Sequence, residues 1–407
     1  MAAQQAGPST APADRPTVPL TNERMAKFKP AKLFKAAVEP PPANSTPRAQ
    51  STPRHITSMS FDDSGGQLVT AGEDDAFRLY SAKTGKHKNT FYSKKYGVDL
   101  IRFTHKSTNV LHTSNKENDD IRYHSMYDNK YITYFKGHTK RVISVEVSPA
   151  DDGFISSSMD STVRLWDLRT PHCRGVLQLP GDNPIVAYDS AGLVFAVGVN
   201  QFAKILLYDN ASFDKEPFLT ITLHDPTLAR ISFPPRNPVM TSLSFSSNSD
   251  WLLVGTSSNA HYILDAFDGH LLAKLEGHEG LERGKTGNIS VTPQRGISSE
   301  EVSWTPDSRY VVGGSHNGRV LVWDIAGWAP RLKQRLEDVK GLPDSQAKPE
   351  PYVIPPLVNV DGHTGPSRCV KFNPRVAMMA TAGPDLAFWL PDLAGDSEAK
   401  DVKMKNV

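Results

Sequence analysis

His138, Ser156 and Asp160 have the residue types of a hydrolase triad, in which a carboxylate orients an imidazole that takes the proton from a serine hydroxyl. Trp166 follows them in the segment STVRLWDLR (161–169). Two other places invite a chemical reading. GLERGKT (280–286) has the glycines, lysine and threonine of a phosphate-binding loop, and His172–Cys173 sets two metal-ligating residue types side by side. Neither completes its pattern. A phosphate loop needs four residues between its glycines and a strand-to-helix setting, so that its backbone N–H groups converge on the anion. Here three residues intervene. The His–Cys pair has no second pair at zinc-ligand spacing, and the 13 histidines include no H-E-x-x-H. The sequence therefore points to no metal and no cofactor. Ser156 also lacks the G-x-S-x-G elbow that lifts a nucleophilic serine out of a strand-to-helix turn.

The elements around these residues repeat. The residues that close strands of the LYS, LWD and LVWD kind begin with Tyr80, Tyr123, Trp166 and Tyr208, spaced 43, 43 and 42 residues apart. Leu264, Trp323 and Trp389 continue the series at wider spacing. An independent marker is the residue before each turn of the FDDSGG or WTPDSR kind. It falls at Phe61, Phe103, Val147, Tyr188, Phe245, Trp304 and Phe372. The two series stay in step, so seven units are present. Each is made of period-2 segments separated by Gly, Asp, Ser and Pro turns, which reads as short strands. Four short strands repeated every 40–45 residues or so are the signature of an all-β, seven-bladed WD40 β-propeller.

In such a unit a Gly-His precedes the first strand, a Ser lies in the second, an Asp occupies the turn before the third and a Trp closes it. His138, Ser156, Asp160 and Trp166 hold those positions. The sequence thus assigns them to a structural hydrogen-bond network that satisfies buried polar groups, and names no catalytic residue.

Seven blades use about 280–300 residues, and the rest must be tails and loops. Residues 1–27 read as a disordered N-terminal extension, 28–393 as the propeller and 394–407 as a polar C-terminal tail. An open sheet edge is a liability, and the last unit shows no fourth strand after AFWLP. The alternating AKLFK (31–35) is expected to supply it. That leaves 36–54, with its duplicated STPR at 45–48 and 51–54, as a crossing loop. The Pro- and Gly-rich, charged stretches 280–299 and 326–361 are expected to be flexible loops, with a short helix over RLKQRLEDV (331–339).

Bulk properties narrow the function classes. The chain has 46 basic and 44 acidic residues, which argues against direct nucleic-acid binding by the surface as a whole. Two distant cysteines form no disulfide framework and fit a reduced, intracellular compartment. No run approaches the roughly 20 apolar residues of a membrane span, and the N-terminus has polar residues and prolines where a signal peptide is apolar. No membrane partner is expected. Basic residues do gather in KHKNTFYSKKY (86–96) and KGHTKR (136–141), each placed before the first strand of a blade. Lys94, Lys95, Tyr96, Lys140 and Arg141 are the candidate partner-binding residues, suited to an acidic or phosphorylated peptide.

Several stretches resemble one narrower family. They include YSKKYGVDLIRFTH (92–105), NDDIRYHSMYDNKYITYFKGHTKRV (118–142), STVRLWDLRTPHC (161–173), SFDKEPF (212–218), DAFDG (265–269), WTPDS (304–308), GHTGP (362–366), FNP (372–374) and AFWLP (387–391). The resemblance is to the WD-repeat subunit of COMPASS, the SET-domain histone H3 lysine-4 methyltransferase complex, and it covers all seven units. It implies a nuclear, non-catalytic scaffold whose partners are the SET-domain methyltransferase and other COMPASS subunits. It also implies a link to RNA polymerase II through its phosphorylated C-terminal domain. In the same family the alternative partners are phosphatase-targeting and cleavage-factor subunits of the transcription-termination machinery. A ubiquitin-ligase substrate adaptor is a reading of another class, but no F-box-like helical region is visible. A propeller enzyme would need acidic or histidine ligands converging on the channel, and the sequence offers no such set.

Overall fold

The computed structural model describes residues 19–43, 53–181, 183–230, 237–280, 300–340 and 349–392. Alternating apolar residues give each unit a sheet with two buried faces and no way to cover either alone. Unit three shows the pattern. Val142–Val147, Gly153–Ser158, Thr162–Asp167 and Gly175–Gln178 pair antiparallel in chain order. Seven such sheets form a β-propeller. The turn markers Phe61, Phe103, Val147, Tyr188, Phe245, Trp304 and Phe372 are the last residues of the seven first strands.

The core is a set of seven wedges between neighbouring blades. Trp166 packs with Leu111, Phe135 and Phe154 between blades two and three, Trp323 with Leu253 and Leu275 between five and six, and Trp389 with Val322 between six and seven. The closing residue of a third strand thus leans on the preceding blade. In blade two that place belongs to His124, not Tyr123. His124 pairs with Val110 as Trp166 pairs with Phe154, and its ring lies 5.2 Å from that of Phe77 in blade one. Tyr123 is one residue away, so it points to the other face and joins the cluster shared with blade three.

The ring closes through the N-terminus. Phe28–Phe34 runs antiparallel to Leu386–Pro391, with Phe28 opposite Pro391 and Phe34 opposite Leu386. This strand starts before the expected 31–35 because Pro30 takes part. On an outermost strand its missing N–H costs no ladder bond, and the register shifts between Pro30 and Lys32. The expected extension 1–27 is corrected at its end. Asn22–Ala26 is a helix capped by Thr21, and Leu20 and Met25 are buried in the wedge between blades six and seven. A five-residue helix is too short to show a period in sequence. Residues 1–18, 44–52, 281–299 and 393–407, which hold the middle of the 36–54 loop, nearly all of the 280–299 stretch and the tail, lie outside the described residues.

The described parts of 326–361, residues 326–340 and 349–361, are not the flexible loop that composition suggests. The stretch begins as the helix Ile325–Val339, capped by Asp324, whose Oδ1 accepts from the Gly327 N–H at 2.7 Å. Pro330 removes one backbone bond inside this helix, and burial of Ile325 and Leu332 in the wedge between blades five and six offsets that loss. Tyr352–Ile354 then adds to the edge of blade five, parallel to Leu271–Glu276, with Ala273 opposite Tyr352. Val358–Asp361 returns as the fourth strand of blade six. The helix expected over 331–339 is the second half of this element, while Pro, Gly and charge mask its first half and the two strands in sequence, because packing and not propensity holds them.

Inner strands are stitched by polar side chains. The Ser58 Oγ accepts from the Ile101 N–H at 3.0 Å, and Asn200 exchanges two bonds with Met240 of blade five at 2.7 and 2.9 Å. Glu300 makes the widest of these links. Its backbone bridges to Cys369 of blade seven, and its carbonyl accepts from the Val370 N–H at 2.8 Å. Its carboxylate, fully buried, accepts from Ser58 Oγ at 2.8 Å and the Met59 N–H at 2.7 Å in blade one and pairs with Arg102 of blade two.

Replacing Glu300 by alanine leaves a guanidinium and a buried N–H without their acceptor. The expected loss is about 3–5 kcal/mol, seen as a lower melting temperature in calorimetry. An unchanged melt would contradict the role given to this carboxylate.

Glu301 behaves differently. Among the described residues neither of its buried oxygens has a side-chain partner, and burial, aided by the Glu300 charge, pushes its carboxyl from 4.5 up to about 8. The folded chain keeps a proton that the unfolded chain releases near the ordinary value. Stability from this group is therefore full below that value and falls as pH rises toward about 8. Denaturant titrations across that window should show the fall in the wild type and a flatter profile in Glu301→Gln.

Candidate functional site

The triad-like residues of blade three do meet. The Trp166 indole N–H donates to Ser156 Oγ at 2.8 Å, which leaves the serine O–H to face His138 Nε2, also at 2.8 Å. His138 Nδ1 lies 3.0 Å from Asp160 Oδ2. Asp160 also accepts from the Thr139 N–H at 3.0 Å, the Thr162 N–H at 2.9 Å and Thr162 Oγ1 at 2.6 Å. Burial acts to raise the Asp160 carboxyl, but the bonds from His138, Thr162 and Thr139 outweigh it and hold the group well below the usual carboxylate range. The connectivity is that of a catalytic triad, yet Ser156 is 0% exposed and closed off by Trp166. A substrate carbonyl cannot approach a hydroxyl that both indole and imidazole already occupy. What the network does is fasten the loop before blade three to its second and third strands.

Partial versions occur elsewhere, and sequence reading named only the complete one. In blade seven Trp389 Nε1 and His363 Nε2 both bond Thr381 Oγ1 at 2.7 Å. In blade six Gly313 and Gly314 lie on the second strand, and Trp323 Nε1 donates to the Glu276 carbonyl at 2.9 Å. There His278 stacks on His261 at 4.0 Å. Burial pushes His278 and His363 down to about 4, so both are neutral. The Gly-His pairs at 277–278 and 362–363 were the signal for these positions.

The second candidate lies on the loops joining blades one, two and three. Ser93–Gly97 is a tight turn closed by the Gly97 N–H on the Ser93 carbonyl at 2.6 Å. Gly97 has φ +73°, and a Cβ there would sit 1.8 Å from Asn115 Oδ1, so both conformation and space require glycine. The turn presents Lys94 and Lys95 to solvent. Lys94 Nζ is 5.1 Å from the Tyr92 ring centre, and Lys95 Nζ is 5.1 Å from that of Tyr96. Tyr96 is itself held by the Arg122 guanidinium at 3.6 Å, which also lies 4.9 Å from the Tyr134 ring. Arg122 is fixed from below by Ser114 and Asn118, each at 2.9 Å.

Lys140 is exposed on the next loop. Arg141 beside it bonds Asp99 at 2.7 Å, so it ties the second loop to the first. It is a strut between the loops, where the sequence suggested a free docking cation. Lys86 and Lys88 belong to the fourth strand of blade one, Lys86–Tyr92, which precedes the first strand of blade two as the sequence placed them. The arrangement that remains is two loops tied by Arg141, one with Lys94 and Lys95 exposed beside fixed tyrosines and the next with Lys140 exposed. It can hold a carboxylate or phosphate beside an aromatic face. Cys173 Sγ accepts from Arg164 at 3.6 Å. Among the described residues no group of three or more His, Cys, Asp or Glu could hold a metal ion.

Comparison with known proteins adds names to this geometry. The "WD domain, G-beta repeat" family matches residues 47–81, 129–167 and 295–324. The WD repeat-containing protein 82 of Drosophila melanogaster is 39% identical over 83% of this chain and 90% of its own length. The Set1 complex component swd2 of Schizosaccharomyces pombe is 33% identical over 82% of the chain and 92% of its own length. The COMPASS component SWD2 of Saccharomyces cerevisiae is 31% identical, covering 92% and 99%.

Asp160→Ala strips four bonds from a buried network and should cost about 1–3 kcal/mol. Trp166→Ala should cost about 3–5 kcal/mol through the cavity it leaves. Melting temperatures check both, and wild-type values in the pair would mean that the network carries no load.

Proposed function

This chain belongs to the WD-repeat family that includes the Set1 complex component swd2 and COMPASS component SWD2, and from that premise we propose that it is a non-catalytic scaffold subunit of a nuclear histone H3 lysine-4 methyltransferase complex. Its work is to dock the SET-domain subunit and to link it to transcribing RNA polymerase II. The observation that carries this reading is the pair of loops bearing Lys94, Lys95, Tyr96 and Lys140. They are exposed and held rigid by Arg122 and by the Arg141–Asp99 pair, while the Ser156–His138–Asp160 constellation is sealed in the interior. A scaffold binds through such rigid surface groups without changing bonds in its partner. An acidic or phosphorylated segment, such as the phosphorylated polymerase C-terminal domain, fits the charge of this rim.

The triple variant Lys94→Glu, Lys95→Glu, Lys140→Glu leaves Arg141 in place and alters only exposed side chains. We expect at least a fivefold loss of methyltransferase recovered with the tagged chain from native cells, with a melting temperature close to wild type. Full recovery would exclude the basic rim as the docking surface. Absence of any SET-domain subunit from the wild-type eluate would exclude the proposed complex.

A further inference from the structure

Blade five shows how this protein treats an apolar outer edge. Its fourth strand, Leu271–Glu276, has the sequence LLAKLE, and a stretch of the chain's own excursion, Tyr352–Ile354, pairs along it in parallel. Beneath that cover Leu272, Ala273, Leu275 and Ile354 are all buried. The added residues pair with Ala273–Leu275, beyond the irregularity where the fourth strand shifts against the third.

Blade two has the same features without the cover. Its fourth strand, Lys130–Phe135, reads KYITYF and shifts register at the corresponding place, which makes Thr133–Phe135 the counterpart of Ala273–Leu275. Among the described residues the strand pairs on one side only. Ile132 is 50% and Tyr134 40% exposed, and among the described residues no other fourth strand exposes two large apolar side chains. An open, apolar, β-branched and aromatic edge is a template for another strand. Lys130 and Lys136 flank it, and both are exposed. The stack of Tyr96, Arg122 and Tyr134 connects it to the rim that carries Lys94 and Lys95.

We infer that the outer edge of blade two accepts an extended, acidic segment of a partner subunit as a fifth strand, parallel to Thr133–Phe135. Main-chain bonds to the open edge supply the register, and apolar side chains of the segment cover Ile132 and Tyr134. An acidic residue at the C-terminal end of the added strand meets Lys136. Charge decides the class of partner, because cations lie at both ends of the strand and the adjoining rim adds two more. The inference rests on the reading of this chain as a complex subunit, and it adds a surface separate from the loops and a mode of binding.

Hydrogen exchange measured on the full chain, free and within its purified native complex, tests it. At least tenfold slower exchange across residues 131–135 in the complex is expected, with no change at the open edge of blade three, Gly175–Gln178. Ile132→Lys places a charge on the edge at an exposed site, so it should keep the melting temperature while removing that protection. Equal exchange at 131–135 in the two states overturns the inference, as does equal protection of both edges, which would report general stiffening. Protection in the free chain that grows with its concentration also overturns it, since the occupant is then a second copy. If the complex proves to lack a methyltransferase yet 131–135 is protected, the proposed function fails and the edge inference stands with another subunit as occupant.

Discussion

Everything in this molecule depends on closing the ring. Each blade has two apolar faces, and both are covered only when it has a neighbour on each side. An open ring would leave the faces of blades one and seven to water. Closure uses residues from the two ends of the described chain, since Phe28–Phe34 completes the blade whose other strands end at Pro391. Backbone pairing at the periphery is matched at the inner end by Glu300, whose one carboxylate links the entry of blade six to blades one and two. A buried carboxylate is stable there because an arginine, a hydroxyl and a backbone N–H all face it. Its neighbour Glu301, whose carboxyl is pushed up by burial, holds a proton instead.

Closure in turn explains how catalytic-looking residues come to do structural work. Ser156, His138 and Asp160 bond one another because a loop must be fixed to a buried sheet, and Trp166 donates to the same serine oxygen. The same economy operates at the surface. Arg141 and Arg122 are cations in a basic region, but each has a local structural partner, Asp99 in one case and Ser114 with Asn118 in the other. What they support is the exposure of Lys94, Lys95 and Lys140 in fixed positions. The excursion after blade six follows the same logic at larger scale, covering one apolar edge with a helix and a parallel strand.

Much of this was legible in the amino-acid sequence. Two independent markers in step gave seven units, because a strand that must bury one face toward each neighbour repeats its large residues at a fixed spacing. The need to close the ring pointed to an N-terminal strand, and the positions of His138, Ser156, Asp160 and Trp166 within their unit pointed to a network. These follow from period and turn chemistry, which are local.

Tertiary structure decided the rest, each time because a distant residue settles a local ambiguity. His124 and not Tyr123 leans on blade one, a shift of one residue that spacing alone cannot resolve. The helix expected over 331–339 begins earlier, at Ile325, in spite of Pro330, because a wedge between two blades receives its apolar side. Arg141 is a strut because Asp99 lies across the gap between two loops, and Tyr134 remains at the surface because no strand of the described chain pairs beside it. Residue type and spacing determine which elements form and how often they recur. Which charges stay free, and which edges stay open, depends on what the folded chain brings alongside them.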